Sequence, residues 1–154
     1  MRKTRIAIIA AIVLVLAGYL GSRWLRPHMS DSDQIRAQIL RAAKAAQNRQ
    51  VGTLMSVIAE DYNDGTYTRP DLMNLARAGL RPGRELQVAV FLQGLQVQGE
   101  TATTEIGADI RVLPGGSQGR YRIVAYWRKG SKGWQVVRAH GWEGAQQLEL
   151  GGGL

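Results

Sequence analysis

Residues 86–93 read LQVAVFLQ, and this stretch decides the fold. Leu86, Val88, Val90 and Leu92 alternate with Gln87, Ala89, Phe91 and Gln93, the period of two that marks a strand with one apolar face. The same period returns downstream, where Thr104, Ile106, Ala108, Ile110 and Val112 oppose Thr103, Glu105, Gly107, Asp109 and Arg111. A PGGSQG turn then leads into GRYRIVAYWRK, with Tyr121, Ile123, Ala125 and Trp127 on one face and Arg122, Val124, Tyr126 and Arg128 on the other. A KGSKG turn leads into WQVVRAHGW, where strict alternation places Trp134, Val136, Arg138, His140 and Trp142 together. Four strands joined by short glycine turns predict an antiparallel meander.

Upstream of Pro82 the period is that of a helix. Ser30-Asp31-Ser32-Asp33 supplies cap-forming residues, and Asp33 to Asn48 places Ile35, Ile39, Ala42, Ala43 and Ala46 on one face. Gln50 to Ile58 predicts a short second helix with Val51, Leu54, Met55 and Ile58 inward. EDYNDGTY, residues 60–67, is rich in turn formers. Thr68 caps a third helix, with Pro70 in its first turn and Asp71 at the positive end of its dipole; it ends near Ala78-Gly79. Helices first and strands second predict an α+β domain: three N-terminal helices on a curved four-stranded antiparallel sheet.

The first 26 residues are of another kind. Arg2, Lys3 and Arg5 precede an uncharged run from Ile6 to Ser22, and Arg23 and Arg26 follow it. As a helix those 17 residues reach about 25 Å, slightly short of a hydrocarbon core of about 30 Å. Flanking arginines that extend to the interfaces make up the difference, and Tyr19 and Trp24 suit an aromatic belt. The reading is one transmembrane anchor inserted through residues 6–25, with the N-terminus cytoplasmic and the domain outside the cell membrane. The alternative is a cleaved signal sequence and a secreted domain; after the run no small-x-small pair presents itself. The organisation is then 1–26 anchor, 27–30 linker, 31–143 domain and 144–154 glycine-rich tail.

Charge excludes one class of partner. Of the 20 Lys and Arg residues five lie in the first 26 positions, so 15 bases face 12 acids in the rest, a net of +3. Those bases are scattered, and no nucleic-acid footprint is expected. The absence of cysteine removes thiol nucleophiles, disulfides and cysteine-ligated zinc. No H-E-x-x-H, EF-hand or phosphate loop is present, and neither metal nor cofactor is expected. Gly115-Gly116-Ser117-Gln118-Gly119 spells G-x-S-x-G, but a strand follows it and no acid separates Ser117 from His140, so it is a turn and not a nucleophile elbow. Glu105 and Asp109 share a strand face about 13 Å apart, too far for a paired-carboxylate hydrolase.

AYWRKGSKGWQVVRAHGW, from Ala125 to Trp142, and IAEDYNDGTYTRPDL, from Ile58 to Leu72, carry a family resemblance. In their order and spacing they resemble the nuclear transport factor 2-like (SnoaL-like) superfamily, with Trp134 and His140 at matching positions of its closing hairpin. The resemblance covers roughly residues 31–143 and implies a cone that holds a cavity. Isomerases and dehydratases of that superfamily use carboxylates and tyrosines inside the cone, and Asp64 lies about where the isomerase pattern has its base. This chain departs from the pattern, because its first helix has no tyrosine to donate to an oxyanion. For Glu60, Asp61 and Asp64 the competing reading is structural: Asp61 and Asp64 cap the turn between helices.

The expected pocket lining is Tyr62, Asp64, Tyr67, Arg122, Tyr126, His140 and Trp142, an aromatic wall with a few orienting polar groups for a small apolar ligand. The expected role is a non-catalytic binding module. The alternative is a small isomerase, dehydratase or cyclase using Asp64, with His140, as acid-base groups. A homodimer through the sheet is also expected, with Phe91, Trp127 or Tyr121 as its buried anchor.

Overall fold

The computed structural model describes residues 29–83, 85–116 and 118–142; the anchor and tail expected from the sequence lie outside them. No helix among the described residues is long and apolar enough to cross a membrane. Three helices come first: α1 (Asp31–Gln47), α2 (Val51–Ser56) and α3 (Arg69–Gly79). Four strands follow: β1 (Glu85–Gln98), β2 (Thr101–Leu113), β3 (Gln118–Gly130) and β4 (Gly133–His140). They pair in sequence order as one curved antiparallel sheet, the α+β arrangement that the change of period predicts.

β1 and β2 run further toward each other than their alternation suggests. Between Leu92 and Gly94 the β1–β2 register slips, so Gln93 is an extra residue and Leu95 and Val97 take over the inward face. The bulge masks the continuation of the strand from any period-two reading. Gly99, at φ 60, then closes a two-residue hairpin with Glu100.

The core lies between α1 and the inward face of the sheet. Ile35 and Ile39 of α1 meet Ala102 and Ile106 of β2, Ala125 and Trp127 of β3, and Trp134 and Val136 of β4. Thr104 is fully buried there, and its hydroxyl accepts the Trp127 indole N–H at 2.9 Å. At the same end of the domain Asp31 fastens the start of α1 to the β3–β4 hairpin: its Oδ1 accepts Lys129 Nζ at 2.7 Å and Trp134 Nε1 at 3.1 Å. The segment after α2 covers the free side of β4, with Ala59 N–H donating to the Val136 carbonyl and Val136 N–H to that of Val57. At the start of α3, the Asp71 carboxylate accepts both the N–H and the hydroxyl of Thr68, at 2.8 and 2.6 Å. α3 has no buried residue, so its hold on the domain rests on its ends and one apolar stripe.

Two residues expected to anchor a contact through the sheet face inward instead. Trp127 is a core residue, 2% exposed. Tyr121 sits on the same inward face, opposite Ala108. Only Phe91, 55% exposed, stands on the outward face.

Candidate functional site

The inward face of the sheet and the three helices border a half-open cavity of about 400 Å³. That volume is within the usual range for small-molecule sites, roughly 300–1,000 Å³. Its cause is small side chains at facing positions. Ala42, Ala43 and Ala46 of α1 and Ala76 of α3 stand across from Ala108, Ala125 and Ala139 of the sheet, and larger groups at those positions would close the space. Leu54, Leu72, Leu75, Val88, Val90 and Ile110 supply the rest of an apolar wall, and no charged side chain of the described residues lines it.

Four of the seven residues expected to form the site come together at one end of this cavity. Tyr62 and Trp142 line it, and the Tyr67 ring lies against that of Trp142 at 4.9 Å with a tilt of 54°. Asp64 lies behind them. Its Oδ2 accepts the Tyr62 hydroxyl at 2.7 Å, while its Oδ1 accepts the backbone N–H groups of Thr66 at 2.9 Å and Tyr67 at 2.7 Å. The backbone amide of Asp64 donates in turn to the Tyr67 carbonyl. Asp64 is therefore a turn-capping carboxylate with its lone pairs engaged. Asp61, the other proposed cap, instead pairs with Arg128 at 2.7 Å, and Glu60 pairs with Lys132 at 2.6 Å, both at the exposed surface.

Electrostatics follow this geometry. Partial burial pushes the Asp64 carboxyl up, but the hydrogen bonds from Tyr62, from the Tyr67 and Thr66 amides and from the Trp142 indole outweigh it. The net pKa lies below the ordinary aspartate value. Burial, followed by the hydrogen bond to Asp64 and then its charge, drives the Tyr62 phenol far above its usual range, so it stays protonated as a donor. Asp64, as a base, holds a proton poorly and is already satisfied by its hydrogen-bond donors. It does not meet the requirement of a proton acceptor tuned toward neutrality.

The structure does not bring Arg122, Tyr126 and His140 to the cavity. All three lie on the outward face of the sheet. Arg122 pairs there with Glu105 at 2.6 Å, and Tyr126 meets the edge of His140 at 6.1 Å and the guanidinium of Arg138 at 4.3 Å. Regular alternation in β3 sets Arg122 and Tyr126 on the face opposite Ile123, Ala125 and Trp127, and for His140 the cause is a second bulge. Trp127 pairs with Val136 but Tyr126 pairs with Arg138, so Val137 is an extra residue, its carbonyl taken by Asn63 N–H. Past it the faces exchange: Ala139 points inward, and Arg138 and His140 point outward. Gly141, at φ 87, then turns the chain so that Trp142 re-enters the cavity wall. The alanines are what sequence reading missed. Their recurrence at inward positions of RAAKAAQ and of β2 and β3 is the one signal that would have pointed to a void.

No family model matches the chain, and no curated protein matches it. Solved structures do. A nuclear transport factor 2-like protein of Cytophaga hutchinsonii superposes with a TM-score of 0.59 at 18% identity, over 72% of this chain and 96% of that one. A nuclear transport factor 2-like protein with a cystatin-like fold from Novosphingobium aromaticivorans gives 0.58 at 21% identity, over 78% and 84%. A ketosteroid isomerase-like protein of Erwinia carotovora atroseptica gives 0.54 at 13% identity, over 68% and 89%. At these identities the likeness shows the fold alone: the described domain has the nuclear transport factor 2-like, cystatin-like fold.

Proposed function

We propose that the protein is a membrane-tethered, non-catalytic module that holds a small apolar ligand in its cavity. The observation that carries this reading is a roomy wall of alanine, valine, leucine and aromatic side chains whose nearest carboxylate, Asp64, is tied into the adjacent turn. Such a site rewards burial of a hydrocarbon body and offers little to polarise it. Tyr62 and Trp142 supply aromatic area at one end, where a ligand's polar end would meet the phenol and indole. The tether is the apolar segment 6–25, which supports a single span with the domain outside the cell membrane. Self-association through the sheet completes the reading.

The alternative is an isomerase-, dehydratase- or cyclase-type enzyme with Asp64 as its acid-base group. Its support is the structural likeness to the ketosteroid isomerase-like protein. Against it stand the engagement of Asp64 and its lowered pKa.

Titration of residues 28–154 with the neutral fluorophore N-phenyl-1-naphthylamine tests the binding reading. The probe is expected to brighten in wild type and to quench Trp142. Ala108→Leu intrudes on the cavity and should weaken the brightening, while leaving stability unchanged or raised by about 1 kcal/mol. Equal brightening in wild type and Ala108→Leu would refute the cavity as the site. Asp64→Asn should retain probe binding, and loss of a measured turnover in that variant alone would establish the enzyme instead.

A further inference from the structure

β2 pairs along one side of β1, and among the described residues no strand pairs along the other. Unpaired strand edges recruit further strands, and proteins ordinarily blunt them with lysine, proline or inward charges. β1, ELQVAVFLQGLQVQ, has none of these across its 14 residues; its one charge is Glu85, at the first position, and its bulge, a further blunting device, lies at Gln93, past the stretch 86–92. The opposite edge of the sheet is covered, because residues 57–63 lie along β4. None of the inward side chains of β1 is buried, whereas Ala102, Thr104, Ile106 and Ala108 of the neighbouring β2 are.

The Val88 carbonyl points away from β2, where the exposed side-chain amide of Gln47 caps it at 2.9 Å and has to swing aside for a strand to pair there. By alternation Leu86, Val90 and Leu92 present their backbone groups to the same open side, up to the bulge at Gln93.

We propose that this edge is where two copies of the chain join, β1 against β1, antiparallel about a two-fold axis at Ala89, giving one continuous eight-stranded sheet. In that register Val88 faces the partner's Val90, Leu86 faces the partner's Leu92, and Gln87 faces the partner's Phe91. Apolar inward groups then meet apolar inward groups, and Glu85 falls beside Gln93 with no like charge opposite it. Stacking the sheets face to face is the competing arrangement. The outward face carries Glu105, Asp109, Arg111, Arg120, Arg122 and Arg138, and burying them would cost desolvation that edge pairing avoids. The proposal rests on the reading of the domain as a self-associating module, and it names the surface.

The chain has no cysteine, so introduced thiols report pairings without background. Full-length protein in its native membranes, carrying single substitutions, is oxidised mildly and run on a non-reducing gel. Ala89→Cys should form a dimer band, since opposed residues at the axis lie about 4.5 Å apart at Cα and a disulfide spans 4.4–6.8 Å. Gln87→Cys and Phe91→Cys should each link weakly alone and at least tenfold more as a co-expressed mixed pair. Ala89→Lys places two lysines together at the axis, and it should reduce the mixed 87–91 link at least tenfold. A link at Thr103→Cys or Val124→Cys with none at Ala89→Cys would overturn the edge in favour of the face. A link from Ala89→Cys to a cysteine at Leu148 within one chain would give the edge to the chain's own tail. No link at any position would refute both the surface and the self-association, leaving the cavity's ligand binding to its own test.

Discussion

Tyr62 donates its hydroxyl to Oδ2 of Asp64 at 2.7 Å, so the carboxylate is tied to a ring that itself lines the cavity. The phenol presents its ring to the ligand space and its polar tip to the turn. Replacing it with phenylalanine keeps the ring and removes the donor. Tyr62→Phe is therefore expected to bind the apolar probe like wild type and to lose about 1–2 kcal/mol in urea denaturation. A loss of probe binding with unchanged stability would contradict this division of labour.

The same carboxylate sets a pH dependence. The folded pKa of Asp64 lies below its unfolded value, so its contribution is fully present above the ordinary aspartate pKa of about 3.9 and is lost as pH falls through the lower, folded value. Asp31, Glu60, Asp61, Asp71 and Asp109 are shifted in the same direction, each mainly by a hydrogen bond from its partner side chain. These carboxylates should leave stability nearly flat from pH 5 to 8 and make it fall below about pH 4. In Asp64→Asn the acid limb should be shallower than in wild type. An identical limb in the two proteins, followed by thermal unfolding, would show that Asp64 is not coupled to folding.

Gly141 directs Trp142. At φ 87 its backbone disfavours any L side chain, and a Cβ there would collide with the Arg122 carbonyl. Gly141→Ala is expected to cost about 1–3 kcal/mol. It should also shift Trp142 emission to longer wavelength as the indole leaves the cavity wall, in a background where Trp127 and Trp134 remain buried. Unchanged emission would mean that Trp142 holds its place without the glycine.

Trp127 and Thr104 form a buried polar pair within the apolar core. Thr104→Val leaves the indole N–H unsatisfied and should cost about 1–3 kcal/mol. Combined with Trp127→Phe, the two changes should be less destabilising than their sum by about 0.5–3 kcal/mol. Strict additivity in a double-mutant cycle would show that the bond contributes nothing.

Period and punctuation determined the architecture without any tertiary information. The helical spacing of Ile35 and Ile39, the capped start at Thr68 and the alternation in each strand report local geometry, and local geometry is what a sequence writes down residue by residue. The turn role of Asp61 and Asp64 was legible in part: Asp64 caps the turn, whereas Asp61 found a partner in Arg128, 67 residues away. Alternation already set Arg122 and Tyr126 opposite Ala125 and Trp127, but the placement of His140 was not legible. Alternation holds only while the strands stay in register, and nothing in Val136-Val137-Arg138 announces the extra residue that sends His140 to the far face. The cavity is further still from the sequence. Each alanine reads as ordinary helix or strand, and a void exists only because α1, α3 and the sheet bring several of them face to face. Side-chain identity and spacing are properties of the chain, whereas emptiness and the side of a bulged strand are properties of how its elements meet.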